Sequence, residues 1–321
     1  MTALRTNPGT AGALDDQAAR LRAMAGAGRR QAWPVEAPAV VGPRIVTITS
    51  GKGGVGKTSL AVNLAAALAA RSVRTTLVDM DFGLANADVL CGLSPRARLD
   101  AALDPACPIE ELAMAAPGGF RLIPGAVGMG RLPDLPEHQQ VALLRNLRAS
   151  VAGADVVLLD TGAGMGQLVR ASALCADLTL VVVTPEPTSI ADAYALIKTL
   201  CQSARRMGTN FAPPQLVVNQ ALSPQEAAEV AGRVSAVGAR FLGVQLPLAG
   251  ALMQDVAVPQ GVRARCPFVL GAPASGASLA VGQLATHLAG VLQVAVRDAN
   301  RFPPAIGFWD RLARLVGGRV G

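Results

Sequence analysis

The stretch at residues 51–58, "GKGGVGKT", restricts the fold of this chain more than any other eight residues. It follows a strand-like run, "RIVTIT", and opens a helical run reaching about Ala70. In that setting G-x-x-x-x-G-K-[ST] forms a phosphate loop. Backbone N–H groups of Gly51, Lys52, Gly53, Gly54, Val55 and Gly56 would cradle phosphate oxygens at a helix N-terminus, with Ser59 next in line. Lys57 would reach the β- and γ-phosphates of a nucleotide, and Thr58 would hold Mg²⁺. Lysine usage adds a second constraint. The chain has three lysines, two of them five residues apart here (Lys52 and Lys57), and every other basic side chain except the two histidines is arginine. The loop therefore needs an ammonium at both places.

Downstream, strands and helices alternate. "RTTLVDMD", "DVVLLDTGAG", "DLTLVVVTPEP" and "PQLVVNQ" read as strands, several apolar enough to be buried on both faces. Helices are expected at 189–204 and 224–237. The pattern predicts an α/β fold: a mostly parallel central sheet with helices on both faces. Residues 1–43, rich in Ala, Gly, Pro and Arg, read as a mobile arm with a short helix at 14–25. The globular domain is expected over 44–296, a linker over 297–304, and an amphipathic helix over 305–321.

Composition excludes several classes. Hydrophobic residues make up 51% of the chain, yet its longest uncharged stretch, 266–296, is broken by prolines and glycines and carries a polar stripe at helical spacing. No apolar signal segment occupies the first forty residues, so a cytoplasmic protein is expected. The five cysteines form no CxxC, which argues against a zinc or iron–sulfur site and against a disulfide framework. The net charge of +7 suits an anionic partner, while 3% aromatics leave little for stacking on single-stranded nucleic acid.

Three carboxylates are expected around the loop. Asp160 ends "VVLLD", the place of a Walker-B aspartate that holds Mg²⁺ through water. Asp79 and Asp81 close "TTLVDMD", and alternation sends both to one side. One would support the metal shell and the other would orient the attacking water.

"KGGVGKT", "DMDFGLANADVLCGL" and "DTGAG" together resemble the deviant Walker A, switch I and switch II segments of the MinD/ParA family of ATPases. The resemblance implies a homodimer formed with ATP, in which Lys52 reaches the partner's phosphates while Lys57 serves its own. It implies that Lys52, Lys57 and Asp81 are catalytic and that Asp79 and Asp160 reach the Mg²⁺ through water. Within the family, "TPEPTSIADAYALIK", "FRLIPGAVG" and "PASGASLAVGQLATHL" are similar to the FlhG group of flagellar regulators. "DQAARLR" resembles the N-terminal element with which that group stimulates the GTPase FlhF; Asp16, Gln17, Ala18, Leu21 and Arg22 would make that contact. A flagellar switch (C-ring) component or a flagellar transcription regulator is a further implied partner. The family's adenine contact is an Asn-Arg pair; here it reads Asn219-Gln220, so Asn219 is the expected base contact. The acid that often follows the family's strand-end proline is replaced by Leu248.

In the last segment Phe308, Leu312, Leu315 and Val316 share one edge with Trp309 beside them, and Arg311 and Arg314 take the other. Two readings stand: a helix packed on its own domain, or a membrane-targeting helix lying on the inner face of an anionic membrane in the ATP state. The second is favoured, with the arginines adding roughly 1 kcal/mol each near anionic headgroups. A MinD-type division-site ATPase and a ParA-like DNA segregation ATPase are alternatives, although no DNA-recognition motif is present.

Overall fold

The computed structural model describes residues 42–83, 85–104, 109–126, 135–209, 211–294 and 308–316. Residues 1–41 and the 297–304 linker lie outside the described residues. The described residues build one eight-stranded sheet, in the order β3-β4-β2-β5-β1-β6-β7-β8. Its strands are β1 (Arg44–Thr49), β2 (Thr75–Met80), β3 (Met114–Ala115), β4 (Arg121–Ile123), β5 (Val156–Thr161), β6 (Leu178–Val183), β7 (Gln215–Ala221) and β8 (Leu248–Met253). All pairings are parallel except β3 with β4. The helices are α1 (Lys57–Ala69), α2 (Ala87–Leu90), α3 (Ile109–Leu112), α4 (Glu137–Ser150), α5 (Gln167–Cys175), α6 (Pro187–Met207), α7 (Pro224–Leu242), α8 (Ala257–Ala264), α9 (Phe268–Gly271), α10 (Gly276–Val291) and α11 (Phe308–Val316).

Strand alternation sorts the core into two faces, as the continuous apolar runs require. Val46, Ile48, Leu158, Leu180, Val182 and Val217 point to a core closed by α1 and α10. Ile45, Val78, Val157 and Leu159 point the other way, onto α4, α5 and α11. Val181, Val183, Leu216 and Val218 continue that second face beneath α6 and α7. The alanine-rich sequence of α1, "KTSLAVNLAAALA", lets it sit buried between the sheet and α10.

Local signals set the helix ends. The Ser223 hydroxyl accepts from the Glu226 N–H (3.1 Å), Pro224 takes the first turn, and the Glu226 carboxylate accepts from the Leu222 N–H (2.6 Å). The expected end of α7 at 237 is five residues short. Gly238 does not stop the helix; a Cβ there would stand 2.7 Å from Leu246 Cδ1, so the glycine makes room for a packing contact. Gly243, at φ 69°, ends it instead.

No helix among the described residues is long and apolar enough to cross a membrane. The amphipathic helix expected at 305–321 is described over Phe308–Val316. Phe308, Trp309, Leu312 and Val316 are buried on the α4–α5 side, and Leu315 is half-buried. In this arrangement the apolar face is covered by the helix's own domain, the first of the two readings. Two polar ties accompany the packing. Arg311 Nη2 donates to the Cys175 carbonyl (2.8 Å), and Gln167 Nε2 donates to the carbonyls of Leu315 (3.0 Å) and Val316 (3.3 Å).

Candidate nucleotide site

At the carboxyl edge of β1 the chain turns through the glycine loop into α1, and its glycines meet different needs. A Cβ on Gly51 would overlap the backbone of Asp192 in α6, so the loop presses directly on that helix. Gly54 (φ 80°) and Gly56 (φ 86°) adopt the left-handed backbone that other residues resist. Lys57 is 8% exposed. Thr58 opens α1 beside it and is half-buried.

The three predicted carboxylates come together here, with different employments. Asp79 and Asp160 are register partners on adjacent strands, both buried. Neither oxygen of Asp160 has a hydrogen-bond partner among the described residues. Burial, then the charge of Asp79, push its carboxyl up to about 7, with the Thr58 hydroxyl and the Lys57 ammonium opposing them. An orphaned carboxylate beside a loop threonine fits the outer shell of Mg²⁺, which binds through few carboxylates together with nucleotide phosphates. No cluster of three or more His, Cys, Asp or Glu able to enclose an ion occurs among the described residues, so a cation here depends on those phosphates.

Asp79 holds the loop that follows β2. Its Oδ1 accepts from the Asp81 N–H (3.0 Å) and its Oδ2 from the N–H groups of Asn86 and Ala87 (3.1 Å each). Burial raises its pKa, and these backbone bonds oppose the rise. The carboxylate is employed in shaping the 81–87 loop. Asp81, half-buried, accepts from the Gly83 N–H (3.1 Å), and its carboxylate lies 3.6 Å from where a Cβ on Gly162 would stand. Both loops that follow β2 and β5 thus meet at Asp81.

The two loop lysines are placed differently. Lys57 is buried beside the acids, whereas the Lys52 ammonium is half-exposed and tied within its own chain to Glu186 and to Thr188 Oγ1 (3.0 Å). The expected reach to a partner's phosphates requires Lys52 to leave these two groups, which sequence reading did not identify because 134 and 136 residues separate them.

Asn219 lines a cavity beside the loop, and its carboxamide is tied to the loop on one side. Nδ2 donates to the Val55 carbonyl (2.8 Å) and Oδ1 accepts from the Gln220 N–H (3.0 Å). Asn219 thus braces the phosphate loop and keeps one N–H and one oxygen lone pair at the cavity it lines. Leu248, where the family often has an acid, is not at the cavity, but an acid following the same strand is. Leu248 begins β8 at the far end of the strand, and Asp255, just beyond its carboxyl end, stands at the cavity. Asp255 Oδ1 accepts from the Ala257 N–H (2.8 Å) and Oδ2 from the Ala277 N–H (2.9 Å), bonds that hold its pKa below the usual carboxylate value.

Residues 46–260 match the CobQ/CobB/MinD/ParA nucleotide binding domain. The chain belongs to this family. It is a P-loop ATPase with the MinD-like α/β fold. It is 38% identical over 237 residues to the antiactivator FleN of Pseudomonas aeruginosa, covering 74% of this chain and 83% of that protein. It is 28% identical over 275 residues to the flagellum site-determining protein YlxH of Helicobacter pylori, covering 85% and 91%. Among solved structures, the cell division ATPase MinD of Pyrococcus furiosus superposes with a TM-score of 0.59 at 26% identity, covering 77% of this chain and 99% of that one. Asp16, Gln17, Ala18, Leu21 and Arg22, the expected contacts to a GTPase, lie outside the described residues.

Proposed function

We propose that this chain is an ATP-driven dimerisation switch that controls the number and placement of bacterial flagella. The family membership and the likeness to FleN and YlxH support the flagellar setting. The observation that carries the switch is the split between the two loop lysines. Lys57 sits among its own acids, while Lys52 is held at the surface by an exposed pair that costs little to exchange. Two chains meeting across their nucleotides would each trade the Glu186 contact for the partner's phosphates.

Mg²⁺, when bound with ATP, supplies charge compensation between the phosphates; Thr58 and Asp160 would hold it. The chain's own residues do the rest. The loop N–H groups and Lys57 bind and orient the triphosphate, and Asp81, between the two loops, positions the attacking water. Turnover is slow in the isolated protein, as in other P-loop switches that await a partner.

The ATP dimer acts at the inner face of an anionic membrane through Phe308, Trp309, Leu312, Leu315 and Val316. Undocking α11 exposes these side chains, and pairing two such helices raises avidity. The arm at 14–25 stimulates an FlhF-like GTPase, and a flagellar switch component or transcription regulator is a further partner.

The experiment is co-sedimentation with phosphatidylglycerol-containing vesicles in ATP and in ADP, using the intact chain and a truncation ending at Asn300. ATP-dependent binding lost on truncation is expected. No binding in either state, with salt-sensitive binding to nonspecific duplex DNA in ATP, would replace the membrane reading with a ParA-like one.

A further inference from the structure

α6 and α7 follow the carboxyl ends of β6 and β7 and run back to the amino edge of the sheet, the edge opposite the phosphate loop. There they end on "ARRMG" and "ARFLG", each stopped by a glycine, Gly208 at φ 60° and Gly243 at φ 69°. Arg205 ties the two ends together, its Nη2 donating to the Leu242 carbonyl (2.6 Å). Arg206 and Arg240 are exposed on the same two ends. The Arg240 guanidinium lies over the Phe241 ring, 5.1 Å from its centre.

Cations at helix C-termini complement the helix dipole, and Arg205 meets that need through a terminal carbonyl. The dipole does not account for the apolar side chains beside them. Phe241 is 61% exposed and Met207 41%, at the last turns of helices whose other faces are buried in the core. Nor is the positive charge balanced nearby in sequence: no acidic residue occurs from 193 to 225 or from 230 to 254. The acids that precede β6 and β5 at this edge are paired already. Asp177 meets Arg44 (3.5 Å) and the Ile45 N–H (2.7 Å), and Asp155 meets Arg74. Arginines ringing an exposed phenylalanine and methionine complement a surface that is anionic outside and apolar just beneath. Duplex DNA offers the charge, but its phosphates give Phe241 and Met207 nothing to be buried in; a lipid interface offers both.

We propose that the joined ends of α6 and α7 form a second membrane contact, with Arg205, Arg206 and Arg240 on anionic headgroups and Phe241 and Met207 entering beneath them. The proposal rests on the membrane reading of this chain and adds to α11 a contact that needs no undocking. Arg311 of α11 bonds the last carbonyl of α5, at this same edge, and α5 packs beside α6 on the same face of the sheet. Two contacts on one face fix how the bound protein is oriented, and each raises the avidity of the other.

The test is sedimentation of the full chain, in ATP and Mg²⁺, with vesicles of phosphatidylcholine alone and of phosphatidylcholine with phosphatidylglycerol. The variants are Arg206→Gln with Arg240→Gln, Phe241→Ser, Phe241→Trp and, as a control of equal charge, Arg233→Gln, whose guanidinium is paired with Glu229 on α7. All five positions are exposed, so melting temperatures should stay near that of the wild type. At about fivefold per arginine near an anionic surface, R206Q/R240Q is expected to lose binding about tenfold or more on the anionic vesicles. F241S should lose severalfold, while F241W and R233Q bind as the wild type does. Brominated-acyl lipid should quench F241W more than the wild type, which reads insertion at that position directly. Wild-type binding by both R206Q/R240Q and F241S, or an equal loss in R233Q, would overturn the proposal. Duplex DNA binding lost in R206Q/R240Q with vesicle binding intact would also overturn it, in favour of a nucleic-acid surface. Failure of the wild type to bind vesicles in ATP would overturn the membrane reading beneath it.

Discussion

Gln167 offers the sharpest test of whether the nucleotide site and the C-terminal helix are coupled. It is the first residue of α5, directly after the 162–166 loop, and the Gly164 N–H in that loop donates to the Ser50 carbonyl at the phosphate loop (2.9 Å). A short chain of contacts therefore runs from phosphate loop to Gly164, to Gln167, to the last carbonyls of α11. Gln167→Ala deletes two hydrogen bonds, at 3.0 and 3.3 Å. At roughly 0.5–1.5 kcal/mol each, with the longer one at the low end, docking weakens by about 1–2 kcal/mol. That is a shift of roughly 5–30-fold toward the undocked helix. Trp309 lowers the reserve that opposes it, because its indole N–H is buried without a hydrogen-bond partner among the described residues, an arrangement that costs about 1–3 kcal/mol.

The apolar face of α11 is untouched by this substitution. Q167A should therefore increase sedimentation with anionic vesicles in the absence of ATP and speed amide exchange at 308–316. Leu312→Ala also loosens docking, by about 2–5 kcal/mol for a fully buried leucine. It removes membrane-inserting area as well, so it should speed exchange without raising vesicle binding. The gain in vesicle binding in one variant and its absence in the other separate undocking from general destabilisation. Unchanged exchange and unchanged vesicle binding in Q167A would refute the coupling.

Three further outcomes are expected. Lys52→Ala should abolish ATP-dependent dimerisation by light scattering while shifting stability by no more than about 1 kcal/mol, since the Glu186 pair it removes is exposed on both sides. Gly51→Ala forces a Cβ into the Asp192 backbone, so it should lower the melting temperature and nucleotide affinity together, whereas Gly53→Ala, whose nearest neighbour is the Ala163 Cβ at 4.0 Å, should spare stability. Asp160→Asn should abolish hydrolysis yet stabilise the ligand-free protein at pH 8 more than at pH 5 in denaturant titrations. The folded carboxyl titrates near 7 against 3.8 when unfolded, so ionisation opposes folding progressively from about pH 4 to 7, by on the order of 4 kcal/mol in all.

What could be read in advance follows from how local each signal is. The central strands announce themselves through runs such as "VVLLDT" and "LTLVVV", whose β-branched and leucine side chains leave few alternatives to a doubly covered sheet. The phosphate loop and Asp160 are legible because motif and strand end lie side by side in sequence. β8 was not legible: "LAGALM" contains no β-branched or aromatic residue, and parallel pairing with β7 rather than propensity makes it a strand. Its invisibility hid Gln254 and Asp255, which follow the strand at the cavity. Strand alternation gave the direction of Asp79 but not its bonds to the backbone of the 81–87 loop, which come from residues that follow the strand. Pro187 did mark the true start of α6 at its first turn, two residues ahead of the expected boundary.

Lys57 and the acids around it bear on how a bound nucleotide would affect this fold. Asp79 and Asp160 are buried side by side, with Asp81 close enough to raise Asp160 further, and Lys57 is the nearby cation opposing that rise. Without nucleotide the cluster carries an orphaned carboxylate, a local cost of the kind that functional sites retain at the expense of stability. Mg²⁺ and a triphosphate, on the proposed reading, would offset that deficit, so ligand binding is expected to stabilise the loops around Asp81 and the 162–166 segment. Lys52 lies outside this account because it is satisfied already by Glu186 and Thr188, at the surface. Its release is worth little energetically, which suits a contact that must be exchanged in every cycle. On the proposed reading, the buried lysine serves the chain's own nucleotide and the exposed one the contact with a second copy.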